Sequence, residues 1–226
     1  MRIQASFFTT LFTTATISSV VFAFSALATT FVTTFATTFA TNSVSPAYDC
    51  DKAQGQVELL ICEDSQLAQL DVQLSETYKK ALNQIGSDEV ATFKAFQRGW
   101  IKGRDDCWKA ADIKQCVQSS YETRLTELQI AAAEFEVPEP VQYECGSQAN
   151  GTLTKITAYF YNETAIPAAM LTISPTSNYI KATNIALITR TASGAKYQGQ
   201  NFSFWTHQGE ATFSQFEQAD LSCQTQ

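Results

Sequence analysis

Six cysteines, none of them before residue 50, constrain this chain more than any other feature. They are Cys50, Cys62, Cys107, Cys116, Cys145 and Cys223. An even number of cysteines in an exported chain implies three disulfides. Their clustering along the sequence predicts bridges 50–62, 107–116 and 145–223, each inside one structural unit. Free or metal-binding thiols are the alternative, and it is weakened by the lack of any Cys-x-x-Cys and by the presence of a single histidine, His207. The first two bridges close short loops. The third closes a long one and ties together the two ends of a C-terminal unit.

Export itself is read from the N-terminus. The first charge after Arg2 is Asp49, and the apolar stretch from Phe7 to Leu27 follows a basic start, the pattern of a secretory signal. Small residues at Ser25-Ala26-Leu27-Ala28 place cleavage near residue 28, with 40 to 47 as the competing interval. A membrane anchor is the alternative reading of the same stretch. The Thr-Thr-Phe-Ala repetition around residues 33–40 is low in complexity and is assigned no fold. No cysteine follows the apolar core closely, and Cys50, preceded by Ala47-Tyr48-Asp49, is a poor lipid-attachment site. The expected product is a soluble, periplasmic or secreted protein, not a lipoprotein.

The hydrophobic period changes once along the exported part. Leu67, Leu70, Leu74, Tyr78, Ala81, Leu82 and Ile85 recur at three and four residues behind Asp64-Ser65, and Gly86-Ser87 ends that helix. Phe93, Phe96, Gln97, Trp100 and Ile101 share a face of a second helix. Val117, Tyr121, Leu125 and Leu128 align on a third, from about Cys116. Three such stripes bury against each other, and a bundle this short gains from disulfide staples. An acidic segment with two prolines, Glu134 to Pro140, then acts as a semi-rigid linker. After it come short β-branched and aromatic runs: Thr152–Tyr161, Ala168–Ser174, Tyr179–Arg190, Lys196–Gln198, Phe202–His207 and Glu210–Phe216. That pattern is all-β, with Cys145 before the first strand and Cys223 in the last, and it fits a small closed antiparallel barrel or a sandwich. The fold class is therefore α+β in two domains: residues 1–47 signal and Thr-rich segment, 48–133 a disulfide-stapled helical bundle, 134–142 linker, and 143–226 a small antiparallel β-domain.

Charge narrows the partner. Residues 48–142 hold ten Lys and Arg against seventeen Asp and Glu, and residues 143–226 four against five. An acidic surface disfavours nucleic acid and steers towards a basic partner. Catalysis is poorly provided for. Any Ser-His-Asp or Cys-His arrangement would have to use His207, and no phosphate-binding loop or metal-ligand cluster is present. The adjacent acids Glu63-Asp64 and Asp105-Asp106 fall at helix ends, where carboxylates cap and solvate. A non-enzyme without metal or cofactor is expected.

Two stretches carry a family likeness. Thr191-Ala-Ser-Gly-Ala-Lys-Tyr197, followed by Asn201-Phe-Ser-Phe-Trp-Thr-His-Gln-Gly-Glu-Ala211, with Tyr143-Glu144-Cys145 ahead and Cys223 behind, resembles the MliC/PliC inhibitors of c-type lysozyme over residues 143–226. Asp49-Cys50-Asp51-Lys52-Ala53, Val57 to Cys62, Leu70-Asp71, Gln97 to Cys107, and Cys116 through Tyr121-Glu122-Thr123-Arg124-Leu125 are similar to the LprI-type N-terminal domain, also linked to lysozyme inhibition. The first resemblance implies an eight-stranded barrel whose Ser-Gly-x-x-Tyr loop enters the lysozyme cleft. The residues implied to bind lysozyme are Ser193, Gly194, Lys196, Tyr197 and His207. His207 stands where that family usually has lysine, and Gly209 lies one place later than its glycine. Trp205 reads as barrel core; Tyr197 reads as a rigid anchor at the contact, with barrel core as its alternative. On the helical part, Gln97, Trp100 and Arg104 share one face, either as a packed Trp beside a satisfied Arg or as a surface for a second partner. A non-inhibitory envelope-binding or scaffold module is the alternative function.

Overall fold

The computed structural model describes residues 44–146, 153–175 and 183–226. The expected signal segment, its cleavage site near residue 28 and the Thr-rich repeat lie outside the described residues, as do the expected strand starts at Thr152 and Tyr179.

The helical region opens with a single 3-10 turn at Cys50–Lys52 and contains α1 (Gln56–Glu63), α2 (Ser65–Gln84), α3 (Val90–Asp105) and α4 (Ile113–Ala131). Helix α1 was not read from the sequence; it is short, and its cap is local. The Glu58 carboxylate reaches back to accept from the N–H groups of Gln54 and Gly55, at 2.9 and 3.2 Å. Asp64 ends α1 and caps α2, accepting from Gln66 and Leu67 N–H at 3.0 and 3.1 Å. An Asp at this position satisfies donors that the helix leaves unpaired. Lys114 of α4 also pairs with Asp64, and that pairing, more than the backbone donors, holds its carboxyl below the usual range. The core is Val57, Ile61, Leu67, Leu74, Val117, Tyr121, Leu125 and Leu128, all buried. Disulfides Cys50–Cys62 and Cys107–Cys116 lie in this region as expected.

Helix α3 buries a different stripe from the expected one. Gln97 and Arg104 are buried while Phe96 is 59% exposed and Ile101 37%. Residues 93, 97, 100 and 104 fall on one line at helical spacing, and that line faces α4. The polar members are accommodated because each finds a partner there, as described below.

The C-terminal region is a closed eight-stranded meander: β1 (Val141–Cys145), β2 (Thr154–Tyr161), β3 (Ala168–Ser174), β4 (Thr183–Thr189), β5 (Ala195–Gly199), β6 (Phe202–His207), β7 (Glu210–Gln215) and β8 (Leu221–Thr225), with β1 pairing β8. Cys145 lies in the first strand, not ahead of it, directly opposite Cys223 and bridged to it. The interior holds Tyr143, Ile156, Leu171, Tyr197, Phe202, Phe204 and Phe213, with Tyr143 and Phe204 edge-to-face at 5.1 Å. Closure removes the sheet edges that would otherwise invite pairing.

Turns of a meander alternate between the two ends of the barrel. The connections 162–167, 190–194 and 208–209 therefore share one end. At that end Thr126 of α4, fully buried, accepts from Ile166 N–H at 2.9 Å, and Gln129 accepts from Ala165 N–H at 2.8 Å.

Candidate functional site

Of the sequence-predicted site residues, Ser193 and Gly194 fall on the β4–β5 connection, Lys196 and Tyr197 on β5, and His207 at the end of β6 beside the β6–β7 turn. Residues 188–194 form an unbroken exposed run. At its tip Gly194 has φ +67°, and a Cβ there would run into the Thr206 carbonyl and approach Trp205 Nε1 to 3.1 Å. Only glycine accepts both the left-handed backbone and that close approach. The Trp205 indole N–H donates to the Ser193 carbonyl at 2.9 Å, and the Thr191 hydroxyl donates to the same oxygen at 3.2 Å. The backbone of the tip is thus held from both sides. The Ser193 hydroxyl is exposed and has no hydrogen-bond partner among the described residues.

The second element is a two-residue hairpin. His207 pairs with Glu210 across Gln208 and Gly209, whose φ values are +50° and +84°. Two successive positive φ values make the turn type that matches strand twist, which explains why glycine stands at the second turn position. His207 and Glu210 are both exposed. A groove of about 320 Å³ runs beside the tip, lined by Ser193, Trp205, His207, Glu210, Thr212 and Gln224, among others. The Glu210 carboxylate accepts from the Gln224 amide at 3.2 Å.

Two expectations about aromatic residues are reversed. Trp205, read as core, is 40% exposed, and Tyr197, read as a contact anchor, is 4% exposed within the barrel core. Strand alternation gives the reason. Phe202 and Phe204 point inward, so Trp205 points out; Lys196 and Gln198 flank Tyr197, so Tyr197 points in. Tyr197 packs against Phe160 at 5.4 Å, and burial pushes its hydroxyl pKa up. Lys196 lies outside, opposite Trp205.

The face Gln97–Trp100–Arg104 is turned inward. Arg104 is 5% exposed; it donates to the Tyr121 hydroxyl and to Asp105, both at 2.8 Å, and its guanidinium lies 5.5 Å from the Trp100 ring. Tyr121 in turn donates to Asp71 at 2.8 Å, and Asp71 also accepts from Ala47 N–H at 2.7 Å. Burial, then the Asp71 charge, pushes Tyr48 beside this network up to about 12. Gln97 accepts from Arg124 at 3.0 Å. These residues form an interior network in which one nitrogen, Arg124 Nη2, is buried without a hydrogen-bond partner, and Asp71 and Tyr121 were not singled out for it from the sequence. Among the described residues, no group of His, Cys, Asp and Glu could hold a metal ion, and no helix is long and apolar enough to cross a membrane.

The fold is a disulfide-stapled helical region followed by a barrel with a braced, exposed loop, and comparison with known proteins gives the class. Residues 49–134 match the family described as Lysozyme inhibitor LprI, and residues 143–222 the Membrane-bound lysozyme-inhibitor of c-type lysozyme. The chain is 36% identical over 188 residues to the protein named Lipoprotein LprI in Mycobacterium tuberculosis (strain ATCC 25618 / H37Rv) and in Mycobacterium bovis (strain ATCC BAA-935 / AF2122/97), covering 81% of this chain and 88% of each relative. No solved structure matches it significantly. The chain belongs to the LprI family of lysozyme inhibitors, with an MliC-type barrel as its second part.

Proposed function

We propose that this protein inhibits c-type lysozyme by lodging the Ser193–Gly194 tip, flanked by the His207 hairpin, in the glycan-binding cleft. The observation that carries the reading is the Ser193 residue itself. Its carbonyl is fixed by two donors while its hydroxyl, on an exposed residue, has no partner among the described residues. A lysozyme cleft holds one protonated and one ionised carboxyl group, and a hydroxyl both donates and accepts. A tip already held rigid loses little entropy on docking. Occupancy alone excludes the glycan, so the protein needs no chemistry of its own and acts as a binder, not an enzyme.

Tyr197 serves this reading from within, as the core residue that fixes β5 beneath the loop. Lys196 and His207 sit outside and close to the tip. In this reading the barrel, which begins with β1 at Val141, carries the contact, and the helical region supports it through Thr126 and Gln129. For location, export is the reading that fits three disulfides. All six cysteines are paired, while the relatives are named lipoproteins, which stands against the unlipidated product expected from the sequence.

The test is the dissociation constant for c-type lysozyme, with clearance of a peptidoglycan suspension measured alongside. Ser193→Ala is expected to weaken binding by about 1–2 kcal/mol without altering thermal stability, because its carbonyl contacts remain. Unchanged affinity and inhibition in Ser193→Ala would remove the tip from the contact.

A further inference from the structure

The chain has three tryptophans, Trp100, Trp108 and Trp205, and their surroundings differ in one respect. The Arg104 guanidinium lies 5.5 Å from the Trp100 ring and is itself 2.8 Å from Asp105. Lys109 lies 5.4 Å from the Trp108 ring and 2.7 Å from Asp106. In both places an aromatic face, a cation and a carboxylate stand together, the arrangement in which the ring quadrupole and the carboxylate act on one positive charge.

Trp205 has the ring and the carboxylate but neither a Lys nor an Arg; His207, opposite Glu210, also lines the groove. It lines the groove beside the Ser193 tip together with Glu210. Trp205 pairs with Thr212 and Glu210 with His207, so Trp205 and Glu210 are diagonal neighbours on the outer face of β6 and β7, about 7–8 Å apart between Cα atoms. Among the described residues, no cation lies over the Trp205 ring, and Glu210 forms no ion pair; its one side-chain partner is the neutral Gln224 amide. Lys196, across from Trp205, is on β5, the side away from Glu210. The indole N–H is tied to the Ser193 carbonyl, which fixes the ring as one wall of the groove.

We infer that this groove receives a Lys or Arg side chain of the lysozyme whose cleft the Ser193 tip enters, held between the Trp205 face and the Glu210 carboxylate. The inference rests on the tip being the contact, and it adds the chemistry of the partner's second anchor. The barrel as a whole is nearly neutral, four Lys and Arg against five Asp and Glu, so the local negative charge of the groove is Glu210 itself, which suits a cationic side chain; the groove adjoins the tip, so one docked protein reaches both. Thr212, Ser222 and Gln224, which also line it, supply acceptors for the remaining donors of an ammonium or guanidinium.

The experiment measures dissociation constants of the full-length protein for c-type lysozyme at low and moderate salt, using Glu210→Gln, Glu210→Lys and Ser193→Ala. Glu210→Gln keeps the shape of the groove and is expected to weaken binding by about three- to tenfold at low salt, less at higher salt. Glu210→Lys is expected to weaken it further. Repeating the series with lysine-acetylated and with arginine-modified lysozyme identifies the cation, because one of the two reagents should erase the wild-type advantage over Glu210→Gln. Wild-type affinity in both Glu210 variants, with Ser193→Ala weakened, overturns the cation inference and leaves the tip in place. Wild-type affinity in all three variants overturns both.

Discussion

In the helical region a guanidinium, a phenol and a carboxylate are packed inward: Arg104 and Tyr121 are 5% and 0% exposed, and each is hydrogen-bonded to another member of the same network. In the barrel the interior is almost wholly apolar and aromatic, and the polar groups at the 190–194 and 207–210 turns face outward with few partners. The helical region uses its polar chemistry to specify its own packing. The barrel leaves its polar chemistry available to another molecule. Both regions match families of lysozyme inhibitors, and this difference is what supports the proposal that the barrel end is the contact.

Tyr197→Ala should break the comparison most visibly if Tyr197 is a surface anchor after all. As a core residue it is expected to cost about 3–5 kcal/mol of stability, read as a lowered unfolding midpoint with loss of barrel structure. Loss of lysozyme affinity at unchanged stability would instead return Tyr197 to the contact. Arg104→Ala strikes the other region. It leaves Asp71 buried beside Tyr121 without its cation, at a cost of about 3 kcal/mol or more. Below the unfolding transition it should leave lysozyme affinity unchanged, and a weakened complex with intact stability would place a partner surface on the helices.

The legible part of the fold was the part with strong periodicity. The stripe of α2 and the change of period after Pro140 both follow from residue spacing, and the three disulfides from clustering. Strand β1 was missed because Val141–Cys145 is too short to show alternation, and α1 because its start is set by one Glu58 side chain. The buried face of α3 could not be read as apolar periodicity, because Gln97 and Arg104 are buried through hydrogen bonds that exist only after α4 has packed. At the site, the exposed tip was legible as a motif. The reversal of Tyr197 and Trp205 was recoverable from alternation around Phe202 and Phe204. Glu210 carried no signal until its pairing with His207 and its place beside Trp205 were known.

The smallest expected effect concerns His207. It is exposed beside the tip and faces Glu210 across the hairpin. His207→Ala is expected to weaken lysozyme binding by about 0.2–1 kcal/mol, on the order of an exposed polar contact. Unchanged affinity in His207→Ala would take His207 out of the contact.

Amide hydrogen exchange of the full-length protein, with and without saturating c-type lysozyme, locates the contact most directly. Recognition at the barrel end predicts slowed exchange in residues 188–196 and 205–211, with no change along 93–109 of the helical region. Slowed exchange confined to 93–109, with 188–196 unaffected, would contradict it.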